Sequence, residues 1–170
     1  MNKFRKVLTG LAMAVILTGF AVMSVSAQTD TTTLASGLSS GSINSTAAFT
    51  AGADSTVNGY VTAVAAVSLG ANSLVTGNVN AGAAFTSGDS SKIQGSVSAK
   101  AAFTSGANSK IVGNVTAGAD FASGANSIIS GNVYVAGDIT LGAGSKILGS
   151  VHSGSGVITY GAGAMVGRVN

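Results

Sequence analysis

The chain has 170 residues, 25 of them Gly, and no Cys, Pro or Trp. Without cysteine there is no disulfide frame, thiol nucleophile or cysteine-held metal. Only 8% of residues are charged, against about a quarter in an average domain, yet Ala, Val, Ile and Gly abound, which argues against a disordered chain.

The stretch 1–27 reads as a secretory signal peptide. Lys3, Arg5 and Lys6 open the chain, Val7 to Met23 is nearly all apolar, and Ser24-Val25-Ser26-Ala27 follows. Basic start, apolar middle and small-residue end predict cleavage after Ala27 and export to the periplasm, the cell surface or the medium. The alternative is an uncleaved anchor, since about 17 apolar residues is the short limit for a bilayer span. Beyond the leader, Lys92, Lys100, Lys110, Lys146 and Arg168 cancel Asp30, Asp54, Asp89, Asp120 and Asp138. A nucleic-acid partner is excluded, because no basic surface remains for phosphates. A near-neutral chain is instead prone to self-association. The stretch 28–40 is rich in Thr and Ser and lacks periodicity, as a polar linker or N-terminal cap would.

Over 41–170 the sequence repeats with a fixed period of 18. Gly41, Gly59, Gly77, Gly95, Gly113, Gly131, Gly149 and Gly167 keep step with Ile43, Val61, Val79, Val97, Val115, Val133, Val151 and Val169. A second column is Val57, Val75, Ile93, Ile111, Ile129 and Ile147; a third is Phe49, Val67, Phe85, Phe103, Phe121, Ile139 and Val157. Such a period means a repeat architecture. Gly and β-branched residues disfavour helices, and apolar side chains alternate with period two, the pattern of strands with one buried face. The fold class is therefore all-β: a single-stranded, three-sided parallel β-helix (solenoid) of about seven coils, stacked at about 4.8 Å.

Each column has an expected role. Val, Ile and Phe fill the interior, with Ala63, Ala81, Ala99, Ala117 and Ala65, Ala83, Ala101, Ala119 where it is narrow. Gly is expected at bends that need positive φ. Asn72, Asn108 and Asn126 at one bend, and Asn78, Asn114 and Asn132 at another, are expected to be structural, because Asn tolerates left-handed backbone and ladders its amide between coils. The last coil slips: the step from Val151 to Gly161 is one longer than that from Val133 to Gly142, and the step from Gly161 to Gly167 is one shorter than that from Gly142 to Gly149.

The phrases V-x-G-x-V-x-A and G-A-x-S-x-V-x-G, as in Val75–Ala81 and Gly106–Gly113, resemble the bactofilins, the polymer-forming cytoskeletal family. The likeness covers 41–170. It implies a right-handed triangular β-helix that polymerises end to end without nucleotide. That family is typically cytoplasmic or attached to the inner side of the membrane and more charged, whereas this chain opens on an export signal. The stretch GDITLGAGSKILGSVHSGSGVITYGAGAMVG is similar to the last coils of the bacterial ice-binding β-helix family.

Several constellations are candidates for function. Ala48-x-Thr50, Ala66-x-Ser68, Ala84-x-Thr86 and Ala102-x-Thr104 point outward beside the Phe column, so Thr50, Ser68, Thr86 and Thr104 form a candidate ice-binding lattice of about 7 by 4.8 Å. The plainer reading is that Thr suits strands and small residues suit a tight helix. Asp120 and Asp138 stand one period apart and are expected on adjacent coils. Two carboxylates so placed can split their pKa values, act as an acid/base pair on a polysaccharide, or hold a cation. With no Glu, a single His and few aromatics to grip a sugar, an enzyme is not the expected reading. His152 stands above Tyr134 as a stacked surface histidine. Lys92, Lys110 and Lys146 share an outward column and are read as charges guarding an edge against lateral pairing, with contact to an anionic cell-surface glycan as the alternative. No catalytic, cofactor or metal site is expected. Val169 and Asn170 stop inside the repeat with no cap, so they mark the candidate assembly end. The expected protein is an exported, self-assembling structural β-solenoid whose main partner is itself. Ice binding is the first alternative and polysaccharide binding or cleavage the second.

Overall fold

The computed structural model describes residues 31–170 and the backbone pairing of Val25–Ser26. The fold is a parallel β-solenoid with three faces per turn. The first face stacks Ile43–Ser45, Val61–Ala63, Val79–Ala81, Val97–Ala99, Val115–Ala117 and Val133–Val135. The second stacks Phe49–Ala51, Val67–Leu69, Phe85–Ser87, Phe103–Ser105, Phe121–Ser123 and Ile139–Leu141. The third stacks two-residue strands: Thr56–Val57, Leu74–Val75, Lys92–Ile93, Lys110–Ile111 and Ile128–Ile129. Lys146–Ser153 runs across the bend from the third face to the first and joins both into one sheet. The sequence period thus becomes pairing register: Val79 lies over Val61, and Val97 over Val79.

Strand length follows from the bends. Three residues allow one in-out-in alternation, so each first- and second-face strand of the middle turns buries two side chains and turns one outward. The inward columns form one continuous apolar cluster from Leu34 to Val151. Phe85, Phe103 and Phe121 lie over one another with ring centroids 5.0 and 4.9 Å apart and planes within 16° and 5°. Burying each phenyl contributes about 1.5–3 kcal/mol, with about 0.5–1.5 kcal/mol more per stacked pair.

A buried hydroxyl ladder runs beside this column. Ser55, Ser73, Ser91, Ser109, Ser127 and Ser145, the Ser of each GAxS-type corner, are all buried. Ser73 Oγ lies 2.7 Å from the carbonyl oxygen of Gly70 in its own corner and 3.2 Å from that of Gly52 one turn below. Ser91 repeats this with Gly88 and Gly70. Ser73 and Ser91 thus tie their own corners to the turn beneath and satisfy carbonyls shielded from water.

The same corner holds the left-handed residue of every turn. Asp54, Asn72, Ser90, Asn108 and Asn126 have φ between 56° and 58°, and Gly37, Gly144 and Gly163 take the equivalent place in the outer turns. Asn and Asp are among the few L residues that visit this region readily. The periodic glycines have a different cause from the one expected. Of the column from Gly41 to Gly167, only Gly59 has positive φ. Those from Gly77 to Gly167 are needed for closeness: a Cβ on Gly95 would sit 2.5 Å from the carbonyl carbon of Gly77 in the turn below.

The structure departs from the sequence expectation in four respects. First, the second face has eight strands, so the solenoid has eight turns and not seven. Thr32–Leu34 pairs with Phe49–Ala51 and Ser39–Ser40 with Thr56–Val57, so a turn lies inside the segment read as linker or cap. Its register falls one position short of the full period, so its residues do not share the interval of 18. Second, the last turn runs one position over the period: Ile139 pairs with Ile158, so Val157 is not the next member of the Phe column and is exposed. An irregularity between Ile147 and Ser150 restores the period, with Val151 against Val169. Third, Ala65, Ala83, Ala101 and Ala119 are half-buried at the bend between the first two faces rather than inside. Fourth, Lys92–Ile93 and Lys110–Ile111 are hydrogen-bonded on both sides, so these lysines guard no edge. The expected signal peptide lies outside the described residues apart from Val25–Ser26, whose backbone pairs with Ile43–Asn44.

Candidate functional site

The outward side of the second face carries the hydroxyl column. Thr50 pairs with Ser68, Ser68 with Thr86 and Thr86 with Thr104, as their spacing requires. The column does not end there. Ala122 interrupts it, and Thr140 and Thr159 resume it. Thr33 extends it below Thr50. The column expected from the sequence ends at Thr104, one rung below Ala122. One more period reaches Thr140, while Thr33 and Thr159 were hidden by the short first turn and the long last one. Beside this column stand Ala48, Ala66, Ala84 and Ala102 in the lower turns but Asp120, Asp138 and Val157 in the upper ones. The lower part is the more uniform surface of small side chains.

Asp120 and Asp138 do come to adjacent rungs. The hydrogen bond between them is not carboxylate to carboxylate: the Asp138 backbone N–H donates to Asp120 Oδ1 at 3.0 Å. Asp89 Oδ1 accepts the Ala107 N–H in the same manner at 2.8 Å. A further file of side-chain oxygens does this between the third and first faces, where the N–H groups of Ser96, Asn132 and Ser150 donate to Asn78, Asn114 and Asn132, each at 2.8 Å. Asp120 thus belongs to a general device: where a bend breaks the backbone ladder, a side-chain oxygen accepts the N–H from the turn above. The bonds to Asp are charge-assisted and stronger than the neutral ones to Asn.

Tyr134 and His152 are paired in register on the outward side of the first face, and both are exposed. His152 Nδ1 lies 3.2 Å from the carbonyl oxygen of Asn170. At the other end of this face, Asn44 Nδ2 donates to Tyr60 Oη at 3.0 Å. Among the described residues no three His, Asp or Glu side chains gather where they could hold a metal ion.

Val169 and Asn170 complete the last turn. The Asn170 N–H donates to the Val151 carbonyl at 3.0 Å, so the ladder continues to the final residue. Among the described residues, however, nothing covers the inward columns beyond this turn. Val151 and Leu141 are 0% and 1% exposed, while their successors Val169 and Tyr160 are 53% and 45% exposed. Ile158 and Val166 are half-buried against the core. Among the described residues, Ile158–Tyr160 and Met165–Val169 are each paired on one side only, as are Thr32–Leu34 and Ser39–Ser40 at the opposite end. Comparison with known proteins finds no matching family model, no matching curated protein and no matching solved structure.

Proposed function

We propose that this is an exported, non-catalytic structural protein that assembles head to tail through its last turn. The observation that carries the reading is that each turn is covered by another of the same register and kind, Val79 over Val61 and Val97 over Val79, so that one solenoid can continue another. An unpaired strand edge beside bare apolar side chains is a template for another chain. The two ends of a parallel ladder are complementary, and a head-to-tail contact that does not close gives a filament. The bactofilin-like phrases support the same outcome. Cleavage after Ala27 would also remove the strand Val25–Ser26 from Ile43–Asn44, freeing a further edge at the receiving end.

Negative-stain microscopy and sedimentation of the purified protein test this. Rods many turns long are expected, and Val169→Asp is expected to leave single solenoids. A monomer at high concentration would reject the reading.

A second reading, ice binding, is favoured by the return of Thr140 and Thr159 to the hydroxyl column. It requires thermal hysteresis or faceted ice crystals, lost on Thr86→Lys or Thr104→Lys.

A further inference from the structure

Lys92, Lys110, Ile128, Lys146 and Met165 form one outward column on the third face, one residue per rung. The lysines and Met165 are exposed. On the far side of Ile111 and Ile147 a second column presents Val112, 43% exposed, and Leu148, 61% exposed. Lys92 and Lys110 lie directly opposite each other in the ladder, where like charges are destabilising. The fold holds these cations side by side without any edge to protect. Asp89 sits at the corner leading into Lys92, where its carboxylate is engaged by the Ala107 N–H, and Asp54 at a lower corner; the corners above carry Ala107, Asn108, Ala125, Asn126, Ala143 and Gly144 and no carboxylate.

We propose that the upper part of the third face docks on the anionic headgroup surface of a lipid bilayer. Its cations are spaced at one or two rungs, about 4.8 or 9.6 Å, and meet lipid phosphates while Val112, Leu148 and Met165 enter the boundary between headgroups and acyl chains. The long lysine stems allow this, since they lie along apolar surface while their ammonium groups reach outward. The aliphatic side chains decide between lipid and an anionic polysaccharide: a hydrated sugar polymer neutralises the lysines but gives Leu148 nothing apolar to contact. The proposal is independent of head-to-tail assembly, because the face lies along the side of the rod.

The chain has no cysteine, so one introduced thiol carries a unique environment-sensitive fluorophore. Ser130→Cys places it between Val112 and Leu148, and Thr86→Cys places it on the second face. With full-length protein and phosphatidylglycerol-containing vesicles, the label at position 130 is expected to shift to the blue and the label at 86 to stay unchanged. Pure phosphatidylcholine vesicles should give neither shift, and about 0.5 M salt should reverse the first, because screening shortens the reach of the lysines. In the Ser130→Cys background, Lys92→Gln, Lys110→Gln and Lys146→Gln together should weaken partitioning about a hundredfold, about fivefold for each lysine, with an unchanged circular dichroism spectrum. Because the triple variant leaves the stretch 1–27 intact, the difference reports this face and not the leader. Equal response of both labels, no response at 130, an unaffected triple variant, or the same blue shift with dextran sulfate in place of vesicles would each overturn the proposal.

Discussion

The turns between Val57 and Ile147 and the turn from Val157 to Asn170 are made of the same residue types, yet they differ in what surrounds them. Each middle rung has a neighbour above and below, so Val97, Phe103 and Ile111 are buried without help from any other element. Among the described residues the last turn has a neighbour on one side only, and its inward residues are half-buried or exposed. In a solenoid, burial is a property of having two neighbours rather than of the residue itself. The same kind of apolar side chain is buried in the middle and left exposed in the last described turn.

Phe103→Ala tests this contrast most severely. It removes a ring stacked on both sides and should cost about 3–5 kcal/mol in denaturant unfolding. Ile158→Ala, at the matching place in the last turn, should cost about 1 kcal/mol, because part of its surface is already wet. Equal losses would mean that the last turn is covered in solution.

Glycine substitutions sharpen the comparison further. A Cβ on Gly113 meets the Gly95 backbone at 2.6 Å, whereas one on Gly163 meets nothing within 4 Å. Gly113→Val should therefore destabilise by about 1–3 kcal/mol through crowding. Ser109→Ala removes a buried hydroxyl 3.2 Å from the Gly88 carbonyl and should cost about 1 kcal/mol; Ser155→Ala, on the exposed bend of the last turn, should cost less. The smallest change is expected for Gly163→Asn, within about 0.5 kcal/mol. Asn126, two turns below at the same corner, already adopts this left-handed conformation, with φ 56° against 69°. Chemical denaturation measures all of these.

The middle of the molecule was legible in the sequence because each turn must supply an apolar side chain at the same angular positions. Val61, Val79 and Val97 therefore recur at the interval that the backbone pairing obeys. Features that break the interval were not legible. Thr32–Leu34 is displaced by one position, and Ile158 is displaced by one in the opposite sense. The glycines misled because their cause is packing: Gly95 is kept by the turn beneath it rather than by its own φ. The burial of Ser109, polar by type, had no signal in the sequence. The candidate hydroxyl face was half visible: Thr50 to Thr104 follow the interval, while Thr140 lay beyond the interruption at Ala122. The third-face lysines share one column as their spacing requires, but their strands are interior. That follows only from pairing on both sides.

The one-residue surplus in the last turn is absorbed at Gly154–Val157 and in the irregularity before Ser150, leaving every rung below undisturbed. Length in this architecture is consequently an adjustable quantity. Splicing in a duplicate of Val97–Asn114 should lengthen the rod by about 4.8 Å without creating a kind of contact the molecule lacks. A gene of this type can grow or shrink by whole repeats and still encode a folded product.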